Sequence, residues 1–248
     1  MHALWNTVLY QPIYNILIFI INNVTLGDVG FAIIIVTIIV KLALSPLNRK
    51  SIRSQVLMKK MEPEMKQIKI DYPNKEEQAK KTFELYKKYG TNPFSGCLVI
   101  LIQMPIIFAL YYVFLKDTLA DSSLIYSFIQ VPTVLYTNFL GLIEMTSHSV
   151  VLAILAGVTQ FIQGYLSTPV KSKKVEVVKE IGKTKSTSNF QEQLTDSMQM
   201  NVRYILPVFI AFIAWKISAA VALYWIVNNI FTIIQEWYIR RQLSRNSI

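Results

Sequence analysis

Residues 30–47 read GFAIIIVTIIVKLALSPL. Eleven uncharged residues, 30–40, precede Lys41, and Leu42, Ala43 and Leu44 follow it. The β-branched runs at 33–36 and 38–40 would suit a strand in water. In lipid an isolated strand leaves its backbone groups unpaired, so this stretch reads as a membrane-spanning helix. Lys41 is its sharpest feature. At about 1.5 Å per residue the lysine lies roughly 16 Å into the span. An ammonium there costs on the order of 2.5–3.5 kcal/mol on insertion scales. Two readings stand. Its stem snorkels toward Pro46, about 7–8 Å further along, or its charge faces water or a partner inside the bundle. Thr37, four residues earlier, shares its helix face.

Composition agrees with a membrane class. Hydrophobic residues make up 53% of the 248, and charged residues only 16%, against roughly 25% in soluble domains. The net charge of +10 would suit nucleic acid, but its distribution does not. Residues 49–88 hold twelve Lys/Arg and six acids, 171–185 hold six lysines, and Arg240, Arg241 and Arg245 close the chain. Residues 116–148 hold one lysine and three acids. Basic and non-basic loops alternate, as the positive-inside rule requires, so DNA is not an expected partner. The single Cys97 excludes an internal disulfide. His2 and His148 lack ligand spacing, and no P-loop pattern occurs, so neither a metal nor another cofactor is expected.

The expected fold is an all-α membrane protein: a five-transmembrane-helix core with an N-terminal interfacial helix and a cytoplasmic helical hairpin. Residues 1–26 read as an interfacial amphipathic helix on the outer face, with Trp5, Tyr10 and Tyr14 at headgroup depth. A sixth span is the other reading of 1–22; a signal peptide would need a basic start and a cleavage site. The first span is 27–48. Residues 49–90 form the hairpin, with one stripe of Leu57, Met61, Met65 and Ile68 and another of Ala79, Phe83 and Tyr86. Its methionines are adaptable contacts. Tyr72-Pro73-Asn74 breaks it, Asn74 caps its second helix and Gly90 ends that helix. The second span, 91–115, starts at Asn92-Pro93. Residues 116–148 are an outer segment, 149–168 the third span, and 169–200 a Lys/Ser/Thr-rich cytoplasmic linker. The fourth and fifth spans, 201–216 and 217–239, are expected to form a tight antiparallel pair. Residues 240–248 are a short basic cytoplasmic tail. The charge pattern puts the N-terminus outside and the C-terminus in the cytoplasm.

Polar groups recur within the spans: Thr37, Gln103, Gln160, Gln163, Asn228, Asn229 and Gln235. Each alone reads as interhelical glue, at about 0.6 kcal/mol per bond. Gln160 and Gln163 share one face, as do Asn228 and Thr232, with Gln235 a turn on. Together with Lys41 they would fit a common wet, positively charged cavity, with Tyr224 and Trp225 as its apolar wall. Membrane-core packing explains the two aromatics equally well.

The chain resembles the YidC/Oxa/Alb family of membrane protein insertases. The resemblance rests on Asn92-Pro93-Phe94-Ser95-Gly96-Cys97, then Leu101-Ile102-Gln103-Met104-Pro105-Ile106 and Ala109-Leu110-Tyr111-Tyr112. It extends to residues 33–41 with Pro46-Leu47, to Gly157-Val158-Thr159, and to Leu223-Tyr224-Trp225-Ile226-Val227-Asn228-Asn229 with residues 232–235. The order of motifs covers residues 3–243. The resemblance implies a hydrophilic groove closed outward, with a cation in the first span, usually arginine; Lys41 stands there and lacks the bidentate fork. Val99 stands where family members commonly have proline, and Ser218-Ala219-Ala220 where a Pro-x-Gly-like pattern is usual. The implied function is nucleotide-independent insertion and folding of integral membrane proteins in the plasma (inner) membrane, as a chaperone and not an enzyme. Implied partners are nascent membrane proteins, membrane lipids and, transiently, the ribosome and the Sec translocon. Met61, Met65 and Tyr86 mark the hairpin contact. A small anion transporter or channel using Lys41 and the amides is the alternative, and an assembly scaffold a third.

Overall fold

The computed structural model describes residues 5–91, 95–115, 124–167 and 201–245. The linker expected at 169–200, the Asn92-Pro93 start of the second span and the chain ends lie outside them. The described fold is all-α, apart from one short two-stranded ladder. After a π-helical turn at Asn6–Tyr10 come α1 (Gln11–Asn23), α2 (Val29–Ala43), α3 (Ser45–Asp71), α4 (Lys75–Tyr89) and α5 (Ser95–Leu115). Then follow β1 (Asn138–Phe139), β2 (Ile143–Glu144), α6 (Val150–Ser167), a second π-helical turn at Asn201–Ile205, α7 (Leu206–Lys216) and α8 (Ala219–Arg245). Among the described residues α6 is the one unbroken helix apolar and long enough by itself to cross a bilayer, while α2 and Ser45–Ile68 of α3 pass together as a bent pair.

The chain turns by 62° between α2 and α3. Pro46 sits in the first turn of α3; it has no N–H to continue the ladder of α2, and its ring restricts Ser45. The stretch read as one span to 48 is therefore two helices, broken at Leu44. In the hairpin, Asn74 accepts from the Glu76 N–H at 3.0 Å, and Gly90 takes the left-handed conformation at φ +59°, where glycine has no Cβ to clash. Met61 is fully buried, with Leu57, Met65 and Ile68 half-buried. The second stripe falls elsewhere than expected. Leu85 is the buried residue of α4, flanked by half-buried Gln78, Thr82 and Tyr89, while Ala79 and Phe83 face outward. Phe83 instead meets Tyr86 edge-on at 6.4 Å. Glu64 closes the hairpin by accepting from the Tyr89 hydroxyl and from Lys88 Nζ, the latter at 2.9 Å. Those two bonds hold its carboxyl below the usual carboxylate range. The contact is complete at neutral pH and is lost as pH falls through that lowered value.

α8 is the centre of the bundle. Its first two turns, Ala219 to Trp225, are buried all round, as a helix apolar on every side must be. It packs against α2 on one side and α6 on the other. α7 leans on α6 far more than on α8, so the expected α7–α8 pairing is secondary. The reason is Gly157: a Cβ there would stand 2.8 Å from the Ala211 Cβ, so the two backbones approach as small residues allow. α1 turns Tyr14, Leu17, Ile18 and Ile21 inward, all fully buried. Tyr14 thus belongs to the core instead of facing headgroups, because the helical period puts it on the leucine–isoleucine face.

Residues 124–148 strap across three helix ends. Asn15 donates to the Leu124 carbonyl at 2.8 Å and accepts from the Tyr126 N–H at 2.7 Å. Tyr136 donates to the Gly27 carbonyl at 2.8 Å and accepts from Val29 N–H at 3.1 Å. Ala219 and Ala220 donate to the Ser147 and Met145 carbonyls at 2.7 and 3.0 Å, which satisfies two orphan donors of the α8 N-terminus. In the strap, burial pushes the Glu144 carboxyl up, but hydrogen bonds from Thr137 and Thr146 outweigh it and leave the carboxyl below its ordinary value. At Gly30 a Cβ would fall 2.2 Å from the Phe139 ring. Gly30→Val is expected to destabilise the protein by about 1–3 kcal/mol through overpacking, read as a lowered Tm in detergent. Pairing it with Phe139→Ala should cost less than the two changes summed.

Candidate functional site

Lys41 reaches the middle of the bundle from the last turn of α2 and is 4% exposed. Its Nζ donates to Thr232 Oγ1 at 2.7 Å, and that hydroxyl donates to the Asn228 carbonyl at 2.7 Å. The hydroxyl therefore has its lone pairs toward the ammonium and its proton turned away, the polarity a cation requires. An ammonium carries three donors; among the described residues one is bound, and to a neutral group. Lys41 forms no ion pair there. It ends against α8, not beyond its own helix end as a snorkelling stem would.

One turn toward the hairpin, the α2–α3 bend is stapled to α8. Gln235 donates to Ser45 Oγ at 2.8 Å and accepts from Asn48 at 3.2 Å, and Arg49 donates to Gln242 at 2.8 Å. A second polar chain runs along α6, where that helix packs on α8. Gln160 donates to Gln163 at 3.1 Å, Gln163 to Ser167 at 3.0 Å, and Ser167 Oγ to Glu236 Oε2 at 2.5 Å. Arg240 completes it, with Nε and Nη2 at 2.9 and 2.5 Å from Glu236 Oε1. Asn229 donates to Thr159 at 3.2 Å, a further α8–α6 bond.

The remaining candidates lie apart from Lys41. Thr37 shares its face and is buried, but its hydroxyl donates to its own Ile33 carbonyl at 2.6 Å. Gln103 Nε2 donates to the Tyr224 hydroxyl, tying α5 to α8. Tyr224 and Trp225 are both buried in the core. Asn228 contributes its backbone carbonyl to Thr232, while its side-chain Oδ1 is buried and unbonded among the described residues. The polar residues thus form two hydrogen-bonded groups, one from α8 to the α2–α3 bend and one from α8 to α6, in place of one ring around the cation. A cleft of about 600 Å³ opens between the end of α6 and α8, lined by Leu166, Ile233, Glu236, Trp237, Arg240, Arg241 and Ser244. Thr232, Ser167, Glu236 and Arg240 are the residues that the candidate set lacks. The Asn228–Thr232–Gln235 spacing signals the first; the other three become visible only once α6 and α8 are side by side.

Among the described residues no group of three His, Cys, Asp or Glu side chains stands close enough to hold a metal. The arrangement is suited to holding a charge in an apolar surrounding. It has a buried cation held by one neutral hydroxyl among the described residues, and beside it a polar chain along α6 that ends at Arg240 of α8.

The family described as 60Kd inner membrane protein matches residues 20–246. A membrane protein insertase YidC of Fusobacterium nucleatum subsp. nucleatum is 31% identical over 94% of this chain and 98% of its own length. That of Oceanobacillus iheyensis is 31% identical over 97% of this chain and 85% of its own length. That of Stutzerimonas stutzeri is 34% identical over 94% of this chain. The chain spans only 36% of that last protein's length. With this match along nearly its whole length, the chain belongs to the 60Kd inner membrane protein family, that of the YidC insertases.

Proposed function

We propose that this chain inserts integral membrane proteins into the bilayer and helps them fold, without nucleotide hydrolysis. The name shared by its relatives, membrane protein insertase, supports the activity. The observation that carries the mechanism is the Lys41–Thr232 contact: a buried ammonium held by one neutral hydroxyl. In this reading α2, α5, α6, α7 and α8 are five spans around a hydrophilic, positively charged groove. The N-terminus lies outside with the α1 helix, and the C-terminus lies in the cytoplasm with the hairpin. A substrate's acidic tail enters from the cytoplasm and binds Lys41, using donors that Thr232 leaves open. At roughly 4 Å and an effective dielectric near 20 that attraction is about 4 kcal/mol before desolvation, which offsets part of the cost of drawing a carboxylate into the bilayer. The apolar segment slides along α6 and α8 into lipid, and apolar burial drives it forward. The groove comprises Lys41, Thr37, Gln103, Gln160, Gln163, Tyr224, Trp225, Asn228 and Asn229. The hairpin, through Met61, Met65 and Tyr86, meets the ribosome and the Sec translocon transiently. Met61 would become available only as the hairpin helices part, since it is buried between them.

The test is photocrosslinking to a stalled nascent chain carrying one membrane segment. Probes at Asn228 and Gln163 are expected to crosslink the segment and to lose it once the chain is released. A probe at Val151, exposed at the other end of α6, is expected to remain unlinked. Silence at Asn228 and Gln163 in a folded protein would reject the sliding path.

A further inference from the structure

We infer that Arg240 is a positioning residue for the electrostatic step proposed above, on which this inference rests: by holding Glu236 it keeps that carboxylate away from Lys41. Glu236 is 4% exposed. It lies one helical turn from Thr232, on the same face of α8, and Thr232 is where Lys41 rests. A free carboxylate so placed, in so apolar a surrounding, is the natural counter-ion for a buried ammonium. The structure shows it engaged toward α6. Ser167 Oγ donates to Oε2 at 2.5 Å, and Arg240 Nε and Nη2 donate to Oε1 at 2.9 and 2.5 Å. Arg240 Nη2 also lies 3.5 Å from the Ser167 carbonyl, so the carboxylate is drawn toward α6 while Lys41 comes from α2. The result, among the described residues, is a satisfied anion one turn along α8 from a cation that one neutral hydroxyl holds. Paired with each other, the two would neutralise the groove. Held apart, they leave Lys41 to an acidic substrate. Arg240 stands at the cleft beside α6, with its side chain 32% exposed, so its charge costs little to keep.

The full chain is tested on two single-span substrates that differ only in a tail bearing Asp or Asn. Arg240→Gln is expected to lower acidic-tail insertion about tenfold and to leave neutral-tail insertion unchanged. Adding Glu236→Gln to it should restore acidic-tail insertion, because the competing carboxylate is gone. Glu236→Gln alone should keep acidic-tail insertion at or above the starting level. Equal losses on both tails, no loss, or no recovery in the double variant would each overturn the assignment. So would a fall with Glu236→Gln alone, which decides the matter if Arg240→Gln does not accumulate. Lys41→Gln is measured beside them. If it discriminates between tails and Arg240→Gln does not, Arg240 is misassigned and the groove reading stands. If Lys41→Gln does not discriminate, the groove reading fails first.

Discussion

Lys41→Glu is expected to abolish insertion of substrates with acidic tails while leaving those with neutral tails largely inserted. In the proposed mechanism the charge at this position acts on substrate through an apolar surrounding, where an attraction of about 4 kcal/mol becomes a repulsion of similar size. A tenfold rate change needs about 1.4 kcal/mol, so the loss should exceed tenfold by a wide margin. Lys41→Gln removes the charge without reversing it and should fall between, on the acidic tail alone. Lys41→Arg should retain insertion, since a guanidinium keeps the charge and adds donors, although its longer fork must displace the Thr232 hydroxyl. Thr232→Val isolates the resting contact. It removes the oxygen on which Nζ rests at 2.7 Å and keeps the shape. The measurement is the fraction of substrate protected in vesicles, with each variant's fold checked by its melting profile. Equal losses on both tails would show that Lys41 supports the bundle and does not meet substrate.

The sequence carried the elements better than their contacts. Helix ends marked by local chemistry are legible: Tyr72-Pro73-Asn74 stops α3, and Gly90 ends α4 where only glycine is at ease. The bend before Pro46 was also written locally, yet an uninterrupted apolar run hides it, because lipid-length arguments count residues and ignore backbone direction. The hairpin face shifted for a simpler reason. Phe83 and Tyr86 are the larger apolar groups, but Leu85 is the side chain aimed at α3. Lys41 stood out because a lone charge in an apolar run has a cost that must be met somewhere. What met it was not legible, since Thr232 lies 191 residues away. Nothing in the sequence pairs Glu236 with α6. Only the packing of α6 on α8 shows it occupied by Ser167, 69 residues away. Single side chains announce a need, and tertiary structure names the group that meets it.

Asn15 makes the same point with a larger structural effect. In the sequence it only interrupts an apolar stretch; in the fold it is 2% exposed and ties α1 to the strap at 124–148. One side-chain N–H donates to the Leu124 carbonyl at 2.8 Å, the amide also donates to Gln11 O at 2.8 Å, and its oxygen accepts from Tyr126 N–H at 2.7 Å. Asn15→Leu keeps the branch at Cγ and removes all three bonds. The Tyr126 N–H is then left without its partner, and the Leu124 carbonyl keeps only the longer contact from Gln11 at 3.3 Å. Leaving buried backbone groups unsatisfied costs about 1–3 kcal/mol each, so a loss of about 2–4 kcal/mol is expected after the added apolar burial is counted. Gln11→Leu should cost much less, because Asn15 continues to hold the Leu124 carbonyl. The readout is twofold: Tm in detergent, and protease cleavage within 124–136. Asn15→Leu should lower the first and speed the second. A strap still protected in that variant would place its anchor at the Gly27–Tyr136 ladder. In that case α1 could move without opening the strapped end of the bundle, and the closure would belong to α2 and α8 alone.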